Sequence, residues 1–119
     1  MFHALELRVE RLGTRSFVRL CGEFDLGSRE TFKEVVAIER RYLSERHFSS
    51  LVIDLRDLRF IDSTGLGCLL TLWKDSQGGA FNVHFVRGSG VVERLFSITR
   101  VDQLLPLVDS EEWVADSEV

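Results

Sequence analysis

The feature that most restricts the fold is a continuous apolar run, LVIDL, at residues 51–55, which contains a single acid, Asp54. Runs of this kind belong to strands that are covered on both faces, as in a sheet with helices above and below it. No apolar run in the chain approaches the roughly 18 residues of a membrane span. The chain is therefore predicted to be a layered α/β protein without a membrane span.

Two alternating segments precede this run. Apolar and charged residues alternate over residues 5–9, a second apolar segment covers residues 17–21, and residues 13–15 between them can form a turn. Period-two alternation across a short connection predicts an antiparallel hairpin. Apolar side chains then recur at spacings of three and four over residues 32–43, which predicts an amphipathic helix.

Helical and extended patterns continue to alternate after the apolar run. The predicted elements are a helix with Leu66, Leu69, Leu70 and Trp73, a strand at residues 81–85, a short helix with Val91, Leu95 and Ile98 as its apolar stripe, an edge strand at residues 104–108 and an acidic helix from Ser110. Strands that alternate with helices imply parallel crossovers. We expect residues 1–119 to form one α/β domain, with a mixed sheet of about five strands, an antiparallel N-terminal hairpin and about four helices.

Composition narrows the partners of this domain. The chain has 119 residues and a formal net charge of −4, which disfavours nucleic acid or an anionic membrane as a general partner. Its N-terminus has no basic region followed by an apolar stretch, so no signal peptide is expected and a cytoplasmic location is predicted. Cys21 and Cys68 lie in apolar runs, and no histidine has ligand spacing from either. Both are expected to be reduced core residues, and neither a metal nor a cofactor is predicted.

The clearest chemical signal is the segment DSTG at residues 62–65. The predicted strand at residues 51–55 leads through residues 57–61 into this segment, and a helix follows at once. This order places Ser63 at or just before a helix N-terminus, where an anionic group is favoured. Gly65 and Gly67 are small, so a partner backbone could approach closely. The alternative is that Asp62 or Ser63 only caps the helix, as these residue types commonly do. The local pattern leaves both interpretations open.

Several segments together resemble a known family. They are GEFD at residues 22–25, LVIDL at 51–55, FIDSTGLG at 60–67, VERLFSIT at 92–99 and LVDSEE at 107–112. The set is similar to the STAS domains, the sulphate-transporter and anti-sigma-factor-antagonist family, and most of all to the stand-alone bacterial anti-sigma factor antagonists. The similarity covers nearly the full length. One departure is Arg100, which stands where many relatives have glycine after the last helix.

The resemblance implies a protein-binding switch. In such proteins the unphosphorylated form binds a serine-kinase anti-sigma factor and releases the sigma factor. Phosphorylation of the serine in the motif, here Ser63, abolishes binding, and a phosphatase restores it. Asp25 and Asp62 fall on positions that flank this serine. The residues implied to contact the partner are Glu23, Asp25, Asp62, Ser63, Thr64, Gly65, Leu66 and Gly67.

Other functions compete with the switch. Thr64 is a second candidate acceptor, but its β-branched side chain limits how the hydroxyl is presented. Hydrolysis would call for a Gly-x-Ser-x-Gly elbow, which the residues around Ser63 do not form, so no enzymatic activity is predicted. Relatives of this domain also serve in stress-signalling and lipid-transport complexes, so a non-catalytic scaffold subunit is the alternative function. The sequence makes no prediction of oligomeric state.

Overall fold

The computed structural model describes residues 4–47, 49–79 and 81–109. Its strands are β1 (Glu6–Leu12), β2 (Arg15–Phe24), β3 (Ser50–Asp54), β4 (Leu58–Ile61), β5 (Asn82–Val86) and β6 (Leu107–Val108). Its helices are α1 (Arg29–Ser44), α2 (Ser63–Ser76) and α3 (Gly90–Thr99), with short 3-10 helices at Leu26–Ser28 and Val101–Gln103. The predicted α/β class is confirmed, and the acidic helix predicted from Ser110 lies outside the described residues. None of the helices within the described ranges has the length and apolar character to cross a membrane.

The strands form one mixed sheet in the order β1-β2-β3-β5-β6, and β4 pairs with the second half of β2. Strands β1 and β2 are antiparallel, as the hairpin pattern predicted, and the other pairs are parallel. The sheet has six strands rather than about five, because β4 was not predicted. Its two central residues, Arg59 and Phe60, are both exposed, so the segment lacks the alternation of a half-buried strand.

Strand β3 lies inside the sheet, as its apolar sequence predicted. All of its residues are buried, with β2 on one side and β5 on the other. Leu51 and Ile53 belong to the main core cluster, to which α1, α2 and α3 all contribute side chains. Val52 points the other way, into a smaller cluster with Phe17 and Val86. Both faces of β3 are therefore covered.

The apolar stripe predicted for α3 is wrong by one position. Val92 and Phe96 are fully buried, whereas Val91 and Ile98 are 62% and 73% exposed and Leu95 is half-buried. Both sets of residues have helical spacing, so periodicity does not distinguish them. Burial of the Phe96 ring removes more apolar surface from water than burial of Ile98 would, which favours the observed orientation.

Arg100 ends α3 in the left-handed conformation, with φ 61° and ψ 18°. Among the described residues it is the one non-glycine residue with positive φ. Glycine adopts this conformation at no steric cost and commonly follows a helix for that reason. Arginine in place of the glycine of many relatives therefore strains the backbone at this position.

Two buried carboxylates anchor the sheet. Glu39 of α1 accepts hydrogen bonds from Arg11 of β1 and Ser16 of β2, and Asp54 at the end of β3 accepts hydrogen bonds from Arg56. The hydrogen bond from Arg11 holds the pKa of Glu39 below its usual value. Burial acts to raise the pKa of Asp54, but the hydrogen bonds and positive charge of Arg56 outweigh burial and lower it. Both groups are therefore paired, ionised parts of the scaffold.

Candidate functional site

The start of α2 shows which residue caps the helix. Asp62 has an extended backbone, with φ −102° and ψ −173°, and its Oδ1 accepts a hydrogen bond from the Gly65 amide at 2.9 Å. The Leu66 amide donates to the Asp62 carbonyl at 2.9 Å, which closes the first turn. Asp62 is therefore the N-cap and Ser63 is the first residue of the helix. Of the two residues that the sequence offered as caps, Asp62 fills the role.

Ser63 presents its hydroxyl to solvent. Its side chain is exposed, and within the described part of the chain it forms no hydrogen bond. Thr64, the second candidate acceptor, is half-buried. The hydroxyl of Ser63 is thus the more accessible of the two.

Gly65 and Gly67 have different surroundings. A Cβ added at Gly65 would meet the Phe24 carbonyl oxygen at 2.7 Å and the Phe24 ring at 2.9 Å. Gly65 is buried, so its small size serves the packing of α2 on the end of β2. A Cβ added at Gly67 would meet nothing within 4 Å in the described residues. Of the pair, Gly67 is the one that an approaching protein backbone can reach.

Asp25 lies at the same edge of the sheet as Ser63. Strands β2 and β4 are parallel neighbours, and the Asp62 amide donates to the Phe24 carbonyl at 3.1 Å. Asp25 follows Phe24 directly, and its Oδ1 accepts a hydrogen bond from the Ser28 hydroxyl at 3.1 Å. The structure thus brings Asp25 and Asp62, the two acids expected to flank the serine, to one edge of the sheet.

Two other predicted residues are set back from this edge. Glu23 is half-buried within β2, opposite Phe60 of β4, and Leu66 is half-buried against the main core. Leu26, which follows Asp25, is instead 68% exposed. The sequence did not single it out, because an isolated apolar residue in a turn has no periodic signal.

A groove of about 580 Å³ separates α1 from α2. Ser63, Thr64 and Gly67 line it from α2, and Arg29 and Lys33 line it from α1. We call these two cations, which stand at the N-terminal end of α1, the basic mouth. Sequence patterns did not reveal the groove, because it depends on the packing of two helices that are distant in the chain.

The two helices run in the same direction along this groove. Both follow strands of the parallel part of the sheet, so both begin at the same edge. At the far end, Arg40 of α1 forms an ion pair with Asp75 of α2 at 3.2 Å. The basic mouth therefore lies at the Ser63 end of the groove.

Cys68 also lines the groove. Cys21 and Cys68 are both free, as predicted, but each is half-buried rather than fully buried, and Cys68 packs against the main core cluster. Burial raises the pKa of the Cys68 thiol, while the charges of Arg29 and Lys33 act to lower it. Cys68 lies one helical turn beyond Thr64 on α2. The two cations of the basic mouth on α1 are therefore near enough to α2 to affect the pKa of a side chain there.

Among the described residues that line the groove beside Ser63, none is a histidine. His84 lies on β5, where burial and the charge of Arg15 lower its pKa, and His47 is exposed. Within residues 4–47, 49–79 and 81–109, no group of three or more His, Cys, Asp or Glu side chains could hold a metal ion.

The same fold and sequence pattern occur in known proteins. A family model described as STAS domain matches residues 6–113. An anti-sigma F factor antagonist of Paenibacillus polymyxa is 30% identical over 111 residues, which cover 90% of this chain and 89% of that protein. An anti-sigma factor antagonist from Mycobacterium paratuberculosis has a TM-score of 0.77 at 20% identity, covering 98% of this chain and 96% of that one. The phosphorylated form of the Bacillus cell fate determinant SpoIIAA has a TM-score of 0.66 at 17% identity, covering 93% and 98%.

Proposed function

Because the chain belongs to the STAS domain family, we propose that it acts as an anti-sigma factor antagonist. The unphosphorylated protein binds a serine-kinase anti-sigma factor in the cytoplasm, and that factor then releases its sigma factor. The kinase phosphorylates Ser63, the complex dissociates, and a phosphatase restores the binding form. The chain itself catalyses no reaction. The relative from Paenibacillus polymyxa bears the name anti-sigma F factor antagonist, which supports this assignment.

The observation that carries the proposal is the exposed, uncommitted hydroxyl of Ser63. Serine at the start of a helix usually caps it, and the hydroxyl is then engaged by the backbone. Here Asp62 caps α2 through its bond to Gly65, and the Ser63 hydroxyl is left at the surface. A kinase can reach that oxygen without unfolding the helix. A neighbour in the fold comparison was solved in a phosphorylated form, so a domain of this fold accepts phosphate.

The surface around Ser63 suits a protein partner. Leu26 offers an exposed apolar side chain, and Gly67 allows close approach. The carboxylates of Asp25 and Asp62 stand at the same edge. An apolar anchor with a polar surround is the usual anatomy of a protein interface. We propose that the partner covers this edge of the sheet. The less exposed residues of the predicted site then hold the contact surface in position; they are Glu23, Thr64, Gly65 and Leu66.

Phosphorylation would weaken such an interface by electrostatics. A phosphoserine carries about −1.5 to −2 charges at neutral pH. Next to Asp62 and Asp25 it adds to two existing negative charges, and a docking protein would have to strip water from a dianion. Burial of a charge without a partner costs several kcal/mol. A loss of about 3 kcal/mol lowers affinity more than a hundredfold, which is sufficient for a switch.

Isothermal titration calorimetry tests the proposal, with the serine-kinase anti-sigma factors of the same genome as titrants. The wild type and Ser63→Ala are expected to bind one of them with equal affinity, because neither carries a charge at this position. Ser63→Glu is expected to bind about tenfold more weakly or worse, since one negative charge imitates part of the phosphate.

Ser97→Glu is the matched control, because it adds the same charge at an exposed serine of α3. Its affinity is expected to equal that of the wild type. Equal affinities for Ser63→Glu and Ser97→Glu would contradict the electrostatic switch. Absence of binding to every such kinase would instead favour the scaffold function.

A further inference from the structure

We propose that the basic mouth of the α1–α2 groove, Arg29 and Lys33, binds the phosphate carried by Ser63 of the same chain. The inference rests on the proposed function in one respect, since it assumes that Ser63 is the modified residue. Arg29 and Lys33 would form a binding site for the phosphate within the same chain. Phosphorylation would then change contacts inside the protein as well as contacts with the partner.

Ser63 and the two cations lie at the same end of one groove. Ser63 is the first residue of α2 and Arg29 is the first residue of α1, and the two helices begin at the same edge of the sheet. Lys33 lies one turn further along α1 on the same face as Arg29. All three residues line one groove. A phosphate on the Ser63 hydroxyl therefore enters a space that already has two cations on its opposite wall.

Neither cation forms a strong ion pair with another described side chain. The Arg29 guanidinium is 3.6 Å from the neighbouring Glu30 carboxylate, and the two side chains are 46% and 75% exposed, so this pair contributes little. Lys33 forms no ion pair with any described residue. Arg40 at the far end of the groove is different, because it pairs with Asp75 at 3.2 Å and lies over the Phe81 ring. The free positive charge is thus concentrated at the end of the groove where phosphate would appear.

Negative charges near Ser63 oppose the interaction without cancelling it. They are Asp62, the N-cap of α2, Asp25, which directly follows β2, and Glu30 on α1. The Asp62 carboxylate is engaged by the Gly65 amide, and the Asp25 carboxylate is engaged by the Ser28 hydroxyl. A phosphate dianion has three acceptor oxygens, which suits an arginine fork and a lysine ammonium together. Pairing would compensate part of the phosphate charge and would also remove the free charges of Arg29 and Lys33 from the surface. A docking protein would then meet a surface that is changed on both sides of the groove, by the bulk and remaining charge of the phosphate and by the loss of the two cations.

The test uses protein with phosphoserine installed at position 63 during translation, so that neither kinase nor partner is involved. The second pKa of the phosphate, ordinarily about 6, is measured by ³¹P NMR over a pH titration. Nearby cations stabilise the dianion, so removal of both charges in Arg29→Gln/Lys33→Gln is expected to raise this pKa by about 0.5 units or more. Each single variant is expected to give part of the rise, and Lys33→Arg is expected to keep the wild-type value.

Arg40→Gln is the matched control, since it removes a cation from the same groove at the end away from Ser63. It is expected to leave the phosphate pKa unchanged. Equal pKa values in the wild type, the double variant and Arg40→Gln would overturn the inference. That failure would leave the proposed function standing, whereas failure of any kinase to phosphorylate Ser63 would overturn the proposed function and leave this titration unaffected.

Discussion

Helices α2 and α3 begin in similar surroundings, but their serines have different roles. Each helix follows a strand of the parallel part of the sheet, β4 for α2 and β5 for α3. At the start of α3, Ser89 is the N-cap residue and its hydroxyl donates to the Leu58 carbonyl at 3.2 Å. At the start of α2, Asp62 is the N-cap and the Ser63 hydroxyl is exposed. The Ser89 hydroxyl is thus engaged by a carbonyl of β4 rather than by the amides of α3, whereas the Ser63 hydroxyl forms no hydrogen bond with any described residue.

At the start of both α2 and α3, a glycine packs closely against the backbone at the end of a strand. A Cβ at Gly65 would meet the Phe24 carbonyl oxygen at 2.7 Å, and a Cβ at Gly88 would meet the Leu55 carbonyl oxygen at 2.7 Å. Each glycine therefore lets a helix start lie directly on a strand end. The difference between the two sites lies in the serine and its neighbours, while the scaffold beneath is alike.

The largest loss of stability is expected when a side chain is added at either of these two glycines. Gly65→Ala and Gly88→Ala each force a carbon against a backbone oxygen, and overpacking of this kind costs about 1–3 kcal/mol in the free energy of unfolding. Urea denaturation measures the loss. Gly67→Ala is the control, because its Cβ would face open space within the described structure. It is expected to stabilise the helix by up to about 1 kcal/mol, since alanine is the better helix former. Equal changes in the free energy of unfolding for Gly65→Ala and Gly67→Ala would contradict the packing of α2 against Phe24.

A smaller loss of stability is expected at Asp62 and Ser89, whose side chains form hydrogen bonds, than at the glycines, and almost none at Ser63. Asp62→Ala is expected to cost about 1 kcal/mol because it removes the N-cap. Ser89→Ala is expected to cost about 0.5–1.5 kcal/mol because the Leu58 carbonyl loses its donor. Ser63→Ala is expected to stay within about 0.5 kcal/mol of the wild type, as for other exposed positions without a special contact. Thermal unfolding of the three variants provides the comparison. A cost at Ser63 equal to that at Asp62 would mean that its hydroxyl is engaged in the fold.

The smallest effect concerns the other ends of the same helices. Arg100→Gly is expected to stabilise the protein by less than about 1 kcal/mol, because glycine relieves the left-handed strain but also gains freedom in the unfolded chain. Gln77, at the end of α2, has right-handed angles, with φ −67° and ψ −13°. Gln77→Gly is therefore expected to destabilise slightly. Melting temperatures of the two variants should shift in opposite directions, and a shift in the same direction would contradict the role assigned to the backbone at Arg100.

Local sequence patterns predicted the elements whose signal lies within one segment. The hairpin followed from its alternation, and β3 followed from an apolar run that is buried on both faces. Strand β4 was missed because Arg59 and Phe60 are both exposed, so its identity comes from pairing with β2. The buried face of α3 was misassigned because two sets of apolar residues share the same spacing, and only packing against the core chooses between them.

The site was predictable to the same extent. The motif at residues 62–65 placed Ser63 at a helix start, but the choice of Asp62 as the cap appears only in the structure, in its extended backbone and its hydrogen bond from the Gly65 amide. The basic mouth was missed because Arg29 and Lys33 look like ordinary solvent-facing charges of α1 until α2 is packed beside them. The inward role of Gly65 was missed for the same reason, since Phe24 lies far away in the sequence. Long-range packing decided what local patterns could not.

The most direct test of the account is to map the phosphate after the protein is incubated with its serine-kinase anti-sigma factor and ATP. Tandem mass spectrometry of the wild type is expected to find one phosphate, on Ser63, and none on Ser89, although both serines stand at helix starts. Ser63→Ala is expected to incorporate none. Full incorporation of phosphate into Ser63→Ala, whether mapped to Thr64 or to Ser89, would contradict the assignment of Ser63, whose hydroxyl takes no part in capping α2, as the acceptor.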